Sequence, residues 1–259
     1  MPTRKPWEGY IKPAKIFGNL YFVGTQPSSV HLIDTGAGLI LIDSGYLENL
    51  YLVIQNIWEL GFDPRDIKYI LHSHGHYDHV NATSALVALA GAKTFIGEDD
   101  LKLVTGKINH FDEQVIPFTP DVLLRDGDVI TLGNTSIRCV SSPGHSDGVM
   151  SFFFDVTDGE KSYRAGMFGG VGTNTLLADF LKKNSLSFEN RDKFFKSIEK
   201  LRKERVDIFI GNHVGNNDTE GKLKKAEAEK SNPFIDSKAW GEFLTLCESK
   251  LKRIIEKGE

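Results

Sequence analysis

Apolar positions along the chain fall into short runs and helical stripes. Residues 19–23, 29–34 and 39–43 are β-like, and Gly36 and Gly38 punctuate the last two as a hairpin. Leu50, Val53, Ile54, Ile57 and Trp58 recur at i, i+3, i+4, i+7 and i+8, one apolar stripe on a helix that Gly61 stops. A strand over 67–72, an alanine-rich helix over 80–90 and a strand over 93–96 follow. Residues 98–120 show no clear period, which fits either an active-site wall or a surface excursion. Further strands are predicted near 122–124, 128–132, 135–141 and 149–156, then a helix over 189–204 and a strand over 206–210. Trp240, Phe243, Leu244, Cys247, Leu251 and Ile254 make a closing amphipathic helix. Residues 1–15, with Pro2, Pro6 and Pro13, read as an extended arm, and 218–230 as a charged helix face or loop.

Strands and helices in both halves predict an α/β layered fold, two β-sheets covered by helices. No low-complexity linker divides the chain, so 1–259 reads as one domain with halves of roughly 16–120 and 121–259.

Composition narrows the function classes. The chain has 259 residues, 40% hydrophobic and 25% charged, an ordinary globular balance. Lys plus Arg number 31 against 35 Asp plus Glu, so no basic surface points to nucleic acid. No apolar run is long enough to cross a bilayer, so neither nucleic acid nor membrane is expected as partner, and a small molecule is. The charged first eight residues do not read as a secretory signal, making the cytoplasm the expected compartment and a mature secreted form the alternative. Cys247 reads as a buried thiol, and a disulfide to Cys139 has no support in the sequence.

The chemistry concentrates in His72-Ser73-His74-Gly75-His76-Tyr77-Asp78-His79, an internal run after apolar residues 67–71. Imidazole and carboxylate suit zinc and neighbouring first-row metals. At a strand end, alternate side chains share a face, so His74 and His76 can reach one metal. If the chain turns into a helix near residue 80, Asp78 and His79 can aim at a second point. Paired metals in hydrolases lie about 3.5–4 Å apart. A catalytic zinc takes about three protein ligands plus water, so one more ligand is needed for each metal. His145, in Ser142-Pro143-Gly144-His145-Ser146, and His213, in Gly211-Asn212-His213, both follow predicted strands. A lone histidine there is ordinarily a polar loop residue, but two of them match the two missing ligands. His72 lies too deep on the strand and reads as structural or as support for a ligand. His31 and His110 carry no ligand signal.

The runs 73–79, 143–145 and 212–213 resemble the metallo-β-lactamase superfamily. Residues 18–24, 38–45 and 232–236 are most similar to the third subclass of zinc β-lactamases. The resemblance implies a four-layer αβ/βα sandwich with two Zn²⁺ per chain at one edge. It implies that His74, His76 and His145 hold the first zinc, and that Asp78, His79 and His213 hold the second. Asp43 would orient a ligand, its alternative being a strand-end turn aspartate. The implied reaction is hydrolysis by a hydroxide shared between the metals and oriented by Asp78, opening a cyclic amide such as a β-lactam.

The chain also departs from the family's pattern. No carboxylate lies in residues 163–170, where other hydrolases of the superfamily carry a bridging aspartate, and this favours the β-lactamase-like site. Met167 and Gly169 stand where the subclass presents serines, and Asn81-Ala82 replaces the usual glycine pair. Phe111, Phe118, Met167 and Phe168 are the candidate pocket residues, the first two otherwise being packed core. A zinc hydrolase of a lactone, ester or thioester is the alternative reading. An iron-dependent redox enzyme and a non-catalytic metal-binding protein stand behind it.

Overall fold

A computed structural model describes residues 5–26, 28–229 and 231–259. Pro2 of the expected arm and Lys230 of the charged 218–230 segment lie outside the described residues.

The first sheet runs in chain order: β1 (Ala14–Phe17), β2 (Leu20–Phe22), β3 (His31–Asp34), β4 (Leu39–Ile42), β5 (Ile67–Leu71), β6 (Lys93–Gly97) and β7 (Val122–Leu124). Pairing is antiparallel from β1 to β4 and parallel from β4 to β7. The second sheet contains β8 (Val129–Leu132), β9 (Thr135–Ser141), β10 (Met150–Thr157), β11 (Ser162–Met167) and β12 (Ile208–Phe209), in the order β12-β11-β10-β9-β8. It is antiparallel except where β12 joins β11.

Strand alternation sorts the side chains into layers. Phe22, Ile33, Ile40, Ile42 and Leu71 of the first sheet meet Ile137, Cys139, Phe152 and Phe154 of the second in one buried cluster. The alternate residues point outward. Leu32, Leu41 and Ile70 pack on Val53 and Ile57 of α1 (Leu50–Glu59) and Leu86 of α3 (Thr83–Ala90), beyond the short α2 (Tyr77–Val80). Two short helices, α4 (Leu101–Val104) and α5 (Ala178–Lys183), precede α6 (Glu189–Leu201). On the far side, Phe153 and Phe209 pack on Phe194 and Ile198 of α6 and, beyond α7 (Thr219–Ala228), on Trp240 and Leu244 of α8 (Ala239–Glu256). The layers are therefore helix, sheet, sheet, helix, as the sequence predicts.

Several elements differ from expectation. Residues 122–124, expected to open the second β-block, instead form the far edge of the first sheet, paired with β6. β1 forms inside the stretch expected to be an arm, because Ala14 and Lys15 find partners in Phe22 and Tyr21. β11 occupies residues left without an element. The expected helix over 80–90 is broken into α2 and α3. Both cysteines are free and buried, and they lie in different apolar clusters. Among the described residues, no helix is long and apolar enough to cross a membrane.

Candidate metal centre

The histidine run begins where β5 ends, at the carboxyl edge of the first sheet, and passes into α2 with His76 at its N-cap. His145 arrives on the β9–β10 turn and His213 on the loop after β12. Three loops from both sheets thus meet at one edge.

The ring nitrogens are sorted by their partners. A carbonyl oxygen can only accept, so His74 donates from Nδ1 to Gly169 O at 2.9 Å and His145 from Nδ1 to Gly172 O at 2.7 Å. Each Nε2 is left with a lone pair. His74 Nε2 is buried with no hydrogen-bond partner, a cost unless something positive is to meet it. His76 turns Nδ1 toward His145 Nε2, 3.0 Å away. The facing atoms of His74, His76 and His145 lie within 4.8 Å of one another, as do those of His74, Asp78 and His79.

Around the second trio, His79 Nε2 lies 3.3 Å from Asp78 Oδ2 and 3.4 Å from His213 Nε2, and His213 Nε2 lies 3.7 Å from Asp78 Oδ2. A tetrahedral ion with bonds of about 2.0–2.1 Å sets its ligand atoms roughly 3.3 Å apart. The donor set and its spacing therefore fit zinc, with His74, His76 and His145 able to hold one ion and Asp78, His79 and His213 a second.

The two trios differ in charge. Burial, reinforced by neighbouring imidazoles, holds His74 and His76 well below the ordinary histidine range. Burial takes His145 down to about 4, against the pull of its bond to Gly172 O. These rings are neutral, as ligands must be. Burial also disfavours charge on His79, but Asp78 and Asp43 outweigh it and raise the ring to about 10. Burial opposes ionisation of Asp78, yet His79 and His213 hold its carboxyl below the usual range. This half of the site attracts a positive charge, a proton or a metal ion.

Asp43 sits at the end of β4 with φ of 61°, an uncommon conformation for a residue with a side chain. It is fully buried and accepts from His79 Nδ1 at 2.7 Å, Ser73 N at 2.7 Å and Ser73 Oγ at 2.8 Å. His72 is also fully buried, bonded through Nδ1 to Phe95 O at 2.9 Å and through Nε2 to Thr83 Oγ1 at 2.7 Å. It joins β5, β6 and α3 and faces neither trio. His31 binds Gly211 O through Nε2 at 3.0 Å, under the His213 loop, and His110 lies edge-on to Phe180.

The expected pocket residues separate. Phe111 stands over His76 with ring centroids 4.9 Å apart, and it also meets Tyr77 and Phe180. Phe118 packs on His72 and a small buried cluster. Met167 and Phe168 are both buried in apolar core clusters. Met167 is paired with Phe152 at the end of β11, so its side chain enters the inter-sheet core, and Phe168 turns to the α6 side.

Gly169 is explained by space. A Cβ there would lie 2.0 Å from Met150 O, and its carbonyl already receives His74 Nδ1 and, at 2.8 Å, Asn212 Nδ2. Asn81, the other departure, ties down the irregular loop by donating to Gln114 O at 3.1 Å and accepting from Ile116 N at 2.9 Å. The sequence reading also missed Asp100, which lies in an acidic turn that looks solvated. It is fully buried, and burial pushes its carboxyl up to about 6 despite bonds from Ser146, Gly75 and Gly148.

A family model described as the metallo-β-lactamase superfamily matches residues 23–158, more than half of the 259. The chain is similar to the structure of BJP-1, a subclass B3 metallo-β-lactamase of Bradyrhizobium japonicum, with 25% identity, TM-score 0.91 and coverage of 100% of this chain and 98% of that one. It is similar to the metallo-β-lactamase GOB-18 from Elizabethkingia meningoseptica, with 30% identity, TM-score 0.85 and coverage of 98% and 96%. It is 26% identical over 153 residues to PksB of Bacillus subtilis, a probable polyketide biosynthesis zinc-dependent hydrolase, and spans 58% of that relative's length. The matches run across both sheets and the edge where their loops converge, and on them the chain belongs to the metallo-β-lactamase superfamily, with structural likeness to its subclass B3 members.

Proposed function

We propose that the protein is a dinuclear zinc hydrolase that opens a cyclic amide, with β-lactams as substrates. The observation that carries this reading is the convergence of six ligand-type side chains into two adjacent trios that share the neighbourhood of His74. The likeness to two β-lactamases over nearly whole chains supports the substrate class.

Two bound Zn²⁺ ions would lower the pKa of a shared water and polarise the scissile carbonyl. The chain's own groups do the rest. His74, His76 and His145 would hold the first ion as neutral imidazoles. Asp78, His79 and His213 would hold the second, and Asp78, the one carboxylate among the six, orients the attacking water. Asp43 keeps the Nδ1 proton of His79 in place, so Nε2 faces inward. Phe111 and Tyr77 shield the His76 side from bulk water and offer an apolar wall to substrate. No thiol competes as nucleophile, since burial pushes Cys139 and Cys247 up to about 12.

Turnover of nitrocefin and a penicillin by zinc-loaded protein tests the reading. Hydrolysis that is abolished by chelator and restored by zinc is expected. Turnover no greater than that of His76→Ala would sink the β-lactam claim.

A second reading, a lactone, ester or thioester hydrolase with the same metals, is favoured by Met167 and Gly169. Neither offers a hydroxyl to a substrate carboxylate, and Gly169 has no room for one. Chelator-sensitive activity on a lactone and thioester panel, exceeding that on nitrocefin, would select this reading.

A further inference from the structure

Asp100 ends the 3-10 turn Glu98–Asp100 that follows β6. Its Oδ2 accepts from Gly75 N and from Ser146 Oγ, each at 2.7 Å, and its Oδ1 accepts from Gly148 N at 2.8 Å. All three partners are neutral. Gly75 lies between His74 and His76, and Ser146 directly follows His145. One carboxylate therefore fastens two segments, one following β5 of the first sheet and one preceding β10 of the second.

The packing around this clamp leaves no slack. A Cβ on Gly97 would lie 2.0 Å from Gly148 O, and one on Gly148 would lie 2.4 Å from Asp100 N. A Cβ on Gly75 would meet Leu103 Cβ at 3.0 Å. A buried carboxylate without a cation is costly, and an apolar residue of similar volume would ordinarily serve stability better. What an apolar residue could not do is accept three hydrogen bonds from two loops at once.

We propose that Asp100 is a positioning residue for the first metal, fixing the distance between the His74–His76 turn and the His145 loop so that three imidazoles meet one ion. The inference rests on the dinuclear reading above. Asp100 touches neither ion nor substrate and acts through two backbone amides and Ser146.

The test is stepwise metal binding. Metal-free protein is titrated with Zn²⁺ against a chromophoric chelator, and with Co²⁺ while its visible absorption is followed. Asp100→Asn keeps the shape but places an amide NH₂ against Gly75 N or Gly148 N. In that variant one of the two ions should bind about 10–100-fold more weakly, as when a group orienting a ligand is lost. The cobalt band of that ion should change and the other should stay as in the unaltered protein. Ser146→Ala, which removes one bond of three, should shift the same step by less. Unchanged stepwise affinities, or an equal loss at both steps, overturn the proposal while leaving two ions in the unaltered protein. Uptake of fewer than two ions by the unaltered protein overturns the dinuclear reading and the proposal with it. Should Asp100→Asn not fold, Ser146→Ala decides, and unchanged binding there counts against the clamp.

Discussion

His74 and His145 are oriented by carbonyls, Gly169 O at 2.9 Å and Gly172 O at 2.7 Å, whereas His79 is oriented by a carboxylate, Asp43 Oδ2 at 2.7 Å. The first trio is accordingly neutral and its shape is set by where three loops run. The second trio is charged and its shape is set by Asp43 and Asp78 together. The same ring chemistry is thus prepared for a cation in two ways, one by backbone geometry and one by electrostatics. Substitutions that move backbone should damage the first trio, and substitutions that remove charge should damage the second.

The largest effect belongs to the proposed ligands themselves. A metal ion contributes several kcal/mol of transition-state stabilisation, so His76→Ala should lower kcat/KM by roughly three orders of magnitude or more. Metal analysis of the same variant should show the ion of the second trio retained. Loss of both ions together would merge the two halves into one cooperative unit and break the comparison.

Next comes Gly169→Ser, the change that puts a serine where the subclass resemblance leads one to expect it. With Met150 O 2.0 Å from the new Cβ, the backbone must shift, and His74 loses its anchor. Overpacking of this kind costs about 3 kcal/mol, of order 10 °C in thermal midpoint for a chain of this size. β-Lactam turnover should fall. A stable Gly169→Ser protein with raised turnover would show that the loop, and with it the first trio, is not geometrically fixed.

Asp43→Asn probes the other half. Asparagine tolerates the left-handed backbone at this position, so the charge is removed with the chain path kept. Affinity for the second ion should drop about 10–100-fold, with the first unchanged. Equal loss at both ions would mean that Asp43 acts mainly through Ser73, next to His74, rather than through His79.

How much of this could be read in advance depends on what carries the information. Alternating Ile40, Leu41, Ile42 and Phe152, Phe153, Phe154 announce strands with two buried faces, and the layers follow from them. The histidines stand out because few side chains suit a metal and their spacing constrains geometry. β1 and β11 do not stand out, since Ala14-Lys15 and Arg164-Ala165-Gly166 are weakly patterned and become strands through their neighbours. The groups that orient His74 and His145 are backbone carbonyls, which every residue has, so no residue type marks them. Asp100 has the opposite difficulty: in sequence it is one acid among three, and only the fold buries it. Asn81 looked like a lost glycine, whereas its amide holds the loop that carries Phe111.

The smallest expected effect concerns His31, beneath the loop of the charged half. Burial lowers its ring to about 4, against the opposing pull of Gly211 O and Asp43, while the unfolded chain keeps the ordinary value near 6.5. Between these values the unfolded state binds a proton that the folded state refuses, so stability is present above about 6.5 and is lost as pH falls toward 4. The loss between pH 6.5 and 5.5 is about 1 kcal/mol for this one group. Other buried rings titrate too, so the measurement is a difference: urea unfolding of the parent and of His31→Gln at both pH values, with each protein its own baseline. The parent should lose about 1 kcal/mol more than the variant across that step. Equal losses would mean that His31 accepts its proton in the folded state, its neutrality under the His213 loop would fail, and the electrostatic account of that half would need a further positive charge.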